Sequence, residues 1–295
     1  MIQGTTKLLG VIGHPIAHSL SPAMHNAAIS HLGVDFVYLP FPVKPEDLKA
    51  ALAGFAAIDL RGFSITIPHK QAILPLLAEV SPIARAIGAV NTVYRTDKGW
   101  CGTNTDVEGF LAPLQTPAYQ PKGGSDWSQK VAVILGNGGA ARAVVAGCAQ
   151  LGCAEIHVVG RNAQNLAEFQ QSWVNSPMPV QNLQAHSWDN LSMLIAQADL
   201  LVNTTPVGMH PHGEKSPVSA AALDRLTAGA IVYDLIYTPN PTQFLKDAQL
   251  RGAIPVDGLE MLVQQGAAAL KIWLDTESVP VDVMRQALRQ HLGLH

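Results

Sequence analysis

The sequence predicts an α/β protein of two domains, each built on a mainly parallel sheet with helices on both faces. Three observations predict it. The chain has 295 residues, too many for one comfortable core. Short β-branched or aromatic runs alternate with helical stretches along most of it, the pattern that parallel sheets require. Between two such alternating sets lies Thr116–Gln129, a stretch of Pro, Gly and polar residues that reads as a loop.

In the first set, Leu8–Ile12, Phe36–Phe41 and Gly62–Ile67 read as strands, with helices at Pro22–Leu32, Pro45–Phe55 and Lys70–Leu77. Thr92–Arg95 and Gly99–Asn104 read as two more strands, joined by a Thr-Asp-Lys turn. The second set places strands at Val131–Leu135, Glu155–Val159, Leu200–Thr204 and Ile231–Leu235. Its helices are anchored at Ala140–Leu151, Ala163–Trp173 and Pro241–Arg251. After Ile254–Val256 come a long apolar helix, Gly258–Trp273, and Val281–His291.

Composition narrows the function. Hydrophobic residues make up 48% and charged residues 14%, enough apolar material for two buried sheets. The formal charge of -3 leaves no strongly cationic face, so neither nucleic acid nor a membrane surface is an expected partner. Cys101, Cys148 and Cys153 are odd in number and lack a Cys-x-x-Cys pair. They read as small apolar residues in a reducing compartment, with no metal site. The longest apolar region, Ala143–Gly160, is interrupted by Gln150, Glu155 and His157 and is not a membrane span. A cytoplasmic protein without a secretory signal is expected.

Val131–Leu135 runs directly into Gly136-Asn137-Gly138-Gly139-Ala140-Ala141. This is G-x-G-x-x-A after a buried strand and at the opening of a helix, the context of a Rossmann-type dinucleotide site. Gly136 permits the tight turn, Gly138 lets the backbone approach a pyrophosphate, and Ala141 keeps helix and strand close. The helix N-terminus offers N–H groups and a positive dipole to the phosphates. The next strand ends in Gly160-Arg161-Asn162, with no acid to bind a ribose 2′-hydroxyl. Arg161 therefore favours NADP as the cofactor.

The first domain carries polar groups at strand ends and helix starts, where parallel sheets place ligands. Each also has a plain structural use. Ser21-Pro22 suits an N-cap followed by Pro at the first helical position. Asn91 and Thr92 could satisfy a turn, and Thr105-Asp-Val-Glu108 fits a capping box. Lys70 is harder to assign to structure alone. A cation at the start of a helix opposes the helix dipole, whereas a carboxylate such as Asp106 would hold and orient it. A lysine between such opposing influences suits general acid/base work.

Seven runs resemble the shikimate dehydrogenase family, in family order and over nearly the whole chain. They are Gly13–Asn26, Ser64–Lys70, Gly88–Thr92, Gly102–Asp106, Asn203–Met209, Tyr233–Tyr237 and Asp257–Gln265. The resemblance implies NADPH-dependent, reversible reduction of 3-dehydroshikimate to shikimate, in aromatic amino-acid biosynthesis. It implies a substrate domain of residues 1–106 and 258–295, to which the C-terminal helices return, and an NADP-binding Rossmann domain of residues 107–257. Ser19, Ser21, Thr66, Asn91, Tyr237 and Gln265 would hold the substrate, and Lys70 and Asp106 would be the catalytic pair. The nicotinamide half would lie near Asn203, Thr204, Thr205, Leu235 and Gly258. The family includes monomers and homodimers.

One stretch departs from the family, whose NADP loop carries a second basic residue three positions after its Asn-Arg-Thr. Asn165 stands there in this chain. Two other functions fit the same scaffold. A dual-specificity quinate/shikimate dehydrogenase, often NAD-dependent, would be expected to carry an acid after the second Rossmann strand. A ligand-sensing relative without turnover would not need Lys70 and Asp106.

Overall fold

The computed structural model describes residues 2–121, 124 and 126–294. In chain order the elements begin with β1 (Lys7–Gly13), α1 (Ser21–Leu32), β2 (Phe36–Pro42), α2 (Leu48–Ala57), β3 (Gly62–Ile65) and α3 (His69–Ala72). Next are β4 (Glu79–Val80), α4 (Pro82–Ile87), β5 (Thr92–Thr96), β6 (Gly99–Thr103) and α5 (Asp106–Leu114). Then follow β7 (Val131–Leu135), α6 (Gly139–Leu151), β8 (Glu155–Gly160), α7 (Ala163–Val174), β9 (Leu183–Ser187) and α8 (Leu191–Ile195). The chain continues through β10 (Leu200–Asn203), α9 (Ala220–Leu223), β11 (Ile231–Asp234), α10 (Gln243–Gln249) and β12 (Ile254–Val256). It closes with α11 (Gly258–Leu274) and α12 (Val281–His291). Two compact units result, residues 1–109 with 262–295, and residues 110–261.

The first unit holds a six-stranded sheet in the order β2-β1-β3-β5-β6-β4. β1 runs parallel to β2 and β3, but β5 is antiparallel to both neighbours. The cause is local. Only Asp97 and Lys98 separate the paired residues Thr96 and Gly99, and so short a turn can join antiparallel strands alone. One face is covered by α2, where Leu48, Leu52 and Phe55 join Phe63, Val93 and Trp100 in a core, and the Trp100 indole donates to the Leu52 carbonyl at 3.1 Å. In the same unit α12 packs on α1, and the Trp273 indole of α11 donates to the Val93 carbonyl at 2.9 Å.

The second unit holds a sheet in which every pairing is parallel, in the order β12-β11-β10-β7-β8-β9. This is the doubly wound order, and the direction of winding reverses between β7 and β10. β7, β8, β10 and β11 are almost wholly buried, which explains the near-continuous apolar runs of β7, β10 and β11. On one face Val133, Leu135, Val159, Leu201 and Val232 pack with Leu191, Leu194, Leu223 and Phe244.

Several elements were not anticipated from sequence, for identifiable reasons. β4 has two residues, while α4, α8 and α9 have four to six, too short to show a period. β9 reads Leu-Gln-Ala-His-Ser and is the polar edge of its sheet. The helix expected at Lys70–Leu77 stops at Ala72 and becomes a 3-10 turn at Leu74–Leu76, because Pro75 lacks the N–H that would continue it. The strand expected to reach Ile67 ends at Ile65. Of the loop expected at Thr116–Gln129, residues 122, 123 and 125 lie outside the described residues.

Gly62 shows how tightly the first unit is packed. A Cβ there would lie 2.3 Å from the Trp273 ring and 2.7 Å from the Val93 carbonyl. Gly62→Ala is expected to lower stability by about 1–3 kcal/mol through overpacking. A urea midpoint equal to that of the wild type would show that Trp273 gives way freely.

Candidate active site

In the first unit, the carboxyl ends of β1, β3 and β6 share one edge of the sheet. Because β5 is antiparallel, its start falls at that same edge. Ser19 and Ser21 follow β1, Thr66 and Lys70 follow β3, Asn91 precedes β5, and Asp106 opens α5 just after β6. Topology therefore gathers four separate sequence segments into one place.

Lys70 Nζ lies 2.5 Å from Asp106 Oδ2, and the side chains keep only 17% and 7% of their exposure. The other carboxylate oxygen, Oδ1, accepts from Asn91 Nδ2 at 2.8 Å. Asn91 Nδ2 also reaches Thr105 Oγ1 at 2.9 Å and Gln265 Oε1 at 3.3 Å, while Asn91 Oδ1 accepts the Thr105 N–H at 2.7 Å. Lys70, Asn91, Asp106 and Gln265 thus form one connected array. Ser19 Oγ accepts the Ser21 N–H at 3.3 Å, and Thr66 is half-buried beside Gly13. Tyr237 belongs to the second unit, three residues past β11, and is half-buried there.

The plain structural uses fare differently once the hydrogen bonds are known. Ser21 is the first residue of α1, not its cap, and its hydroxyl lies close to the phenol of buried Tyr38. The Thr105 hydroxyl engages Asn91 and Thr92 instead of closing a capping box. The N–H of Asp106 is accepted by Asn104 Oδ1 at 3.0 Å. Lys70 stands in a four-residue helix, whose dipole is slight, so Asp106 is what orients the ammonium.

In the second unit, β7 and β10 end together at Leu135 and Asn203, the point where the winding reverses. Gly136 has φ +102, and a Cβ on it would press on Thr204 Oγ1 at 2.9 Å and Thr205 Cγ2 at 3.0 Å. A Cβ on Gly138 would meet nothing within 4 Å, so the cradle at the start of α6 is open. Asn137, Gly139 and Ala140 complete that turn, where the first helical N–H groups have no helical acceptor. These features fit a bound pyrophosphate. Arg161, exposed, is the first residue after β8 and borders a pocket of about 280 Å³ with Gly160, Ala163 and Ser187. Asn162 caps α7 by accepting the Asn165 N–H at 2.9 Å.

Comparison with known proteins bears on both units. The model of the shikimate dehydrogenase substrate binding domain matches residues 11–93, and that of the shikimate 5'-dehydrogenase C-terminal domain matches residues 258–289. A shikimate dehydrogenase (NADP+) of Trichormus variabilis is 67% identical over 294 residues, covering 100% of each chain. The chain belongs to the shikimate dehydrogenase family. Among solved structures of the family, a shikimate dehydrogenase in complex with NADP+ superposes with a TM-score of 0.88. It is 36% identical and covers 99% of this chain and 98% of its own. Shikimate 5-dehydrogenase from Thermus thermophilus, in complex with NADP(H) and shikimate, has a TM-score of 0.82. It is 34% identical, with 97% and 99% covered.

Three parts of this shikimate dehydrogenase fold escaped sequence reasoning. Tyr38, fully buried, donates to Ser64 Oγ at 2.9 Å beneath Ser21. Asn104 links Asp106 to the Ala89 carbonyl at 3.0 Å. Asp234, fully buried, accepts from Asn203 Nδ2 at 2.9 Å, Thr242 Oγ1 at 2.7 Å and the Ile236 N–H at 3.1 Å. A lone acid ending the apolar run Ile-Val-Tyr-Asp was the available signal for the last.

Burial pushes the Asp234 carboxyl up to about 6, against the pull of its hydrogen bonds from Thr242, Ile236 and Asn203. Folding therefore favours its protonated form. That contribution is complete below the unfolded value near 4 and is lost as pH rises through about 6. The stability of wild type relative to Asp234→Asn should thus fall by roughly 2–3 kcal/mol between pH 4 and pH 7. Paired urea titrations measure this difference, and one that stays level with pH would refute the dominance of burial.

Proposed function

We propose that the protein is an NADP-dependent shikimate dehydrogenase, interconverting 3-dehydroshikimate and shikimate in aromatic amino-acid biosynthesis. The observation that carries this reading is the nearly buried Lys70–Asp106 pair, set in an array of amide and hydroxyl groups at one sheet edge. A substrate with a carboxylate and several hydroxyls needs such partners. Ser19 and Ser21 hold the carboxylate; Thr66, Asn91, Tyr237 and Gln265 take the ring hydroxyls and ketone.

Gly136–Ala140 would hold the pyrophosphate of NADPH, Arg161 its 2′-phosphate, and Asn203–Thr205, Leu235 and Gly258 its nicotinamide, and the chemistry this cofactor would supply is hydride for the ketone carbon. Lys70 gives a proton from Nζ to the oxygen as negative charge develops there, and Asp106 keeps the ammonium aimed by accepting a hydrogen bond from another of its N–H groups. Asn91 fixes the second Asp106 oxygen, so the carboxylate cannot turn away from Lys70. In the reverse direction neutral Lys70 takes the hydroxyl proton. All of these residues come from one chain, so a monomer or a homodimer would serve. The free thiols Cys101, Cys148 and Cys153 suit the cytoplasm, and among the described residues no helix is long and apolar enough to cross a membrane.

Lys70→Met keeps most of the side-chain stem and removes the proton donor. Its kcat should fall about 10²–10⁴-fold, with KM for shikimate changed far less. Steady-state oxidation of shikimate by NADP tests this, and a variant retaining more than about half of wild-type kcat would exclude Lys70 from proton transfer.

Arg161→Ser tests cofactor choice. A charge-assisted hydrogen bond is worth about 1.5–3 kcal/mol, so kcat/KM for NADP should fall roughly 10- to 150-fold. Use of NAD should stay nearly unchanged, because only NADP carries the lost partner. With Asn165 in place of a second cation, the wild-type preference for NADP rests chiefly on Arg161. Equal losses for the two cofactors would mean that Arg161 does not read the phosphate.

A further inference from the structure

We propose that Asp234 is a positioning residue for the cofactor. Its buried carboxylate ties the loop after β10 to the loop after β11, and so holds Asn203–Thr205, Leu235 and Gly258 in one fixed arrangement. The inference rests on the proposal that these residues surround the nicotinamide.

The connections run outward from Asp234 in both directions. On one side, Asn203 donates to Asp234 Oδ1 through Nδ2. Asn203 Oδ1 then accepts both the N–H of Thr205 at 3.0 Å and its hydroxyl at 2.7 Å. Between them Thr204 Oγ1 donates to the Leu135 carbonyl at 2.6 Å, and this hydroxyl abuts Gly136. On the other side, Asp234 Oδ1 accepts the N–H of Ile236, and the Ile236 carbonyl accepts the N–H of Gly258 at 3.4 Å. A Cβ on Gly258 would fall 2.2 Å from the Leu235 carbonyl oxygen, so that backbone approach admits only glycine. The Leu235 N–H in turn donates to the Asn203 carbonyl at 3.1 Å. One carboxylate thus links the glycine turn, the β10 loop, the β11 loop and the start of α11.

Fold stability alone does not call for an acid here. The preceding residues, Ile231, Val232 and Tyr233, are fully buried and apolar, and an apolar side chain would continue that core. Burial also outweighs the hydrogen bonds in setting the titration of Asp234. A carboxylate is distinguished by accepting several donors at once. Asn203, Thr242 and Ile236 are three such donors, brought from the end of β10, the start of α10 and the loop after β11.

The test uses the full-length chain and reads cofactor binding apart from substrate binding. In Asp234→Asn, the NADPH Kd from calorimetry and the KM for NADP should both rise about 10- to 100-fold, the range for lost hydrogen bonds to a charge. KM for shikimate should stay within about twofold. A folded Asp234→Asn whose NADPH Kd matches wild type overturns the proposal, and so do equal rises in KM for both substrates. If that variant does not fold, Thr242 decides. Thr242→Ser keeps the hydroxyl and should bind NADPH like wild type, whereas Thr242→Val should bind it more weakly. Equal affinity in the two Thr242 variants overturns the proposal. A wild type that binds NADPH without oxidising shikimate refutes the substrate reading, and the Kd comparison still judges Asp234. A wild type that does not bind NADPH refutes both.

Discussion

A lysine and an aspartate brought within 2.5 Å of each other, both nearly buried, form an arrangement that the rest of the first unit has to support. Removing two charges from water is costly, and their attraction compensates only when the geometry is good and the remaining lone pairs are filled. Asp106 meets both conditions. Lys70 takes one oxygen, Asn91 takes the other, and Asn104 accepts the Asp106 N–H. Asn91 in turn is held through its own oxygen by the Thr105 N–H. These residues come from the end of β3, the start of β5 and the end of β6, so the site exists only with those three strands in register. The two-residue turn between β5 and β6 is therefore part of the site's construction, although it lies at the opposite end of both strands.

Much of this was readable from the chain, and what was not has physical causes. Long buried strands and the glycine turn after Val131–Leu135 carry strong local signals, because a parallel core strand and a phosphate-binding turn each restrict composition within a few residues. The residues now found in one array were each readable as candidates, yet each had an equally good local use. Ser21 looked like a cap and Thr105 like half of a capping box. Which use prevails depends on partners far along the chain, such as Tyr38 for Ser21 and Asn91 for Thr105. No window of sequence contains that information. The helix dipole at Lys70 is slight for a related reason: Pro75 leaves α3 only four residues long.

The second unit builds its corresponding sheet edge by other means. Its strands are all parallel, so every carboxyl end faces the same edge without a reversed strand. The elements there are backbone turns more than side chains. Gly136 adopts a left-handed conformation, Gly138 leaves open space, and Gly258 lies against the Leu235 carbonyl. Backbone of this kind has little intrinsic rigidity, because glycine restricts φ and ψ least. Side-chain hydrogen bonds supply the missing stiffness, from Thr204 to the Leu135 carbonyl and from Asn203 to Asp234.

The two buried aspartates show how environment divides one kind of side chain into two uses. Asp106 has a cation at 2.5 Å, so its charge is matched within the array. Asp234 is met by an amide, a hydroxyl and a backbone N–H. Neutral donors do not fully replace water around a carboxylate. With its titration pushed up to about 6, the ionised form at neutral pH costs roughly 3 kcal/mol relative to a carboxylate in the unfolded chain. That is a sizeable share of the 5–15 kcal/mol by which folded proteins usually exceed their unfolded states. A neutral core residue at position 234 would avoid this cost but leave Asn203, Thr242 and the Ile236 N–H without their shared acceptor. On the positioning role proposed for Asp234, the geometry of the loops after β10 and β11, more than fold stability, accounts for an acid at that position.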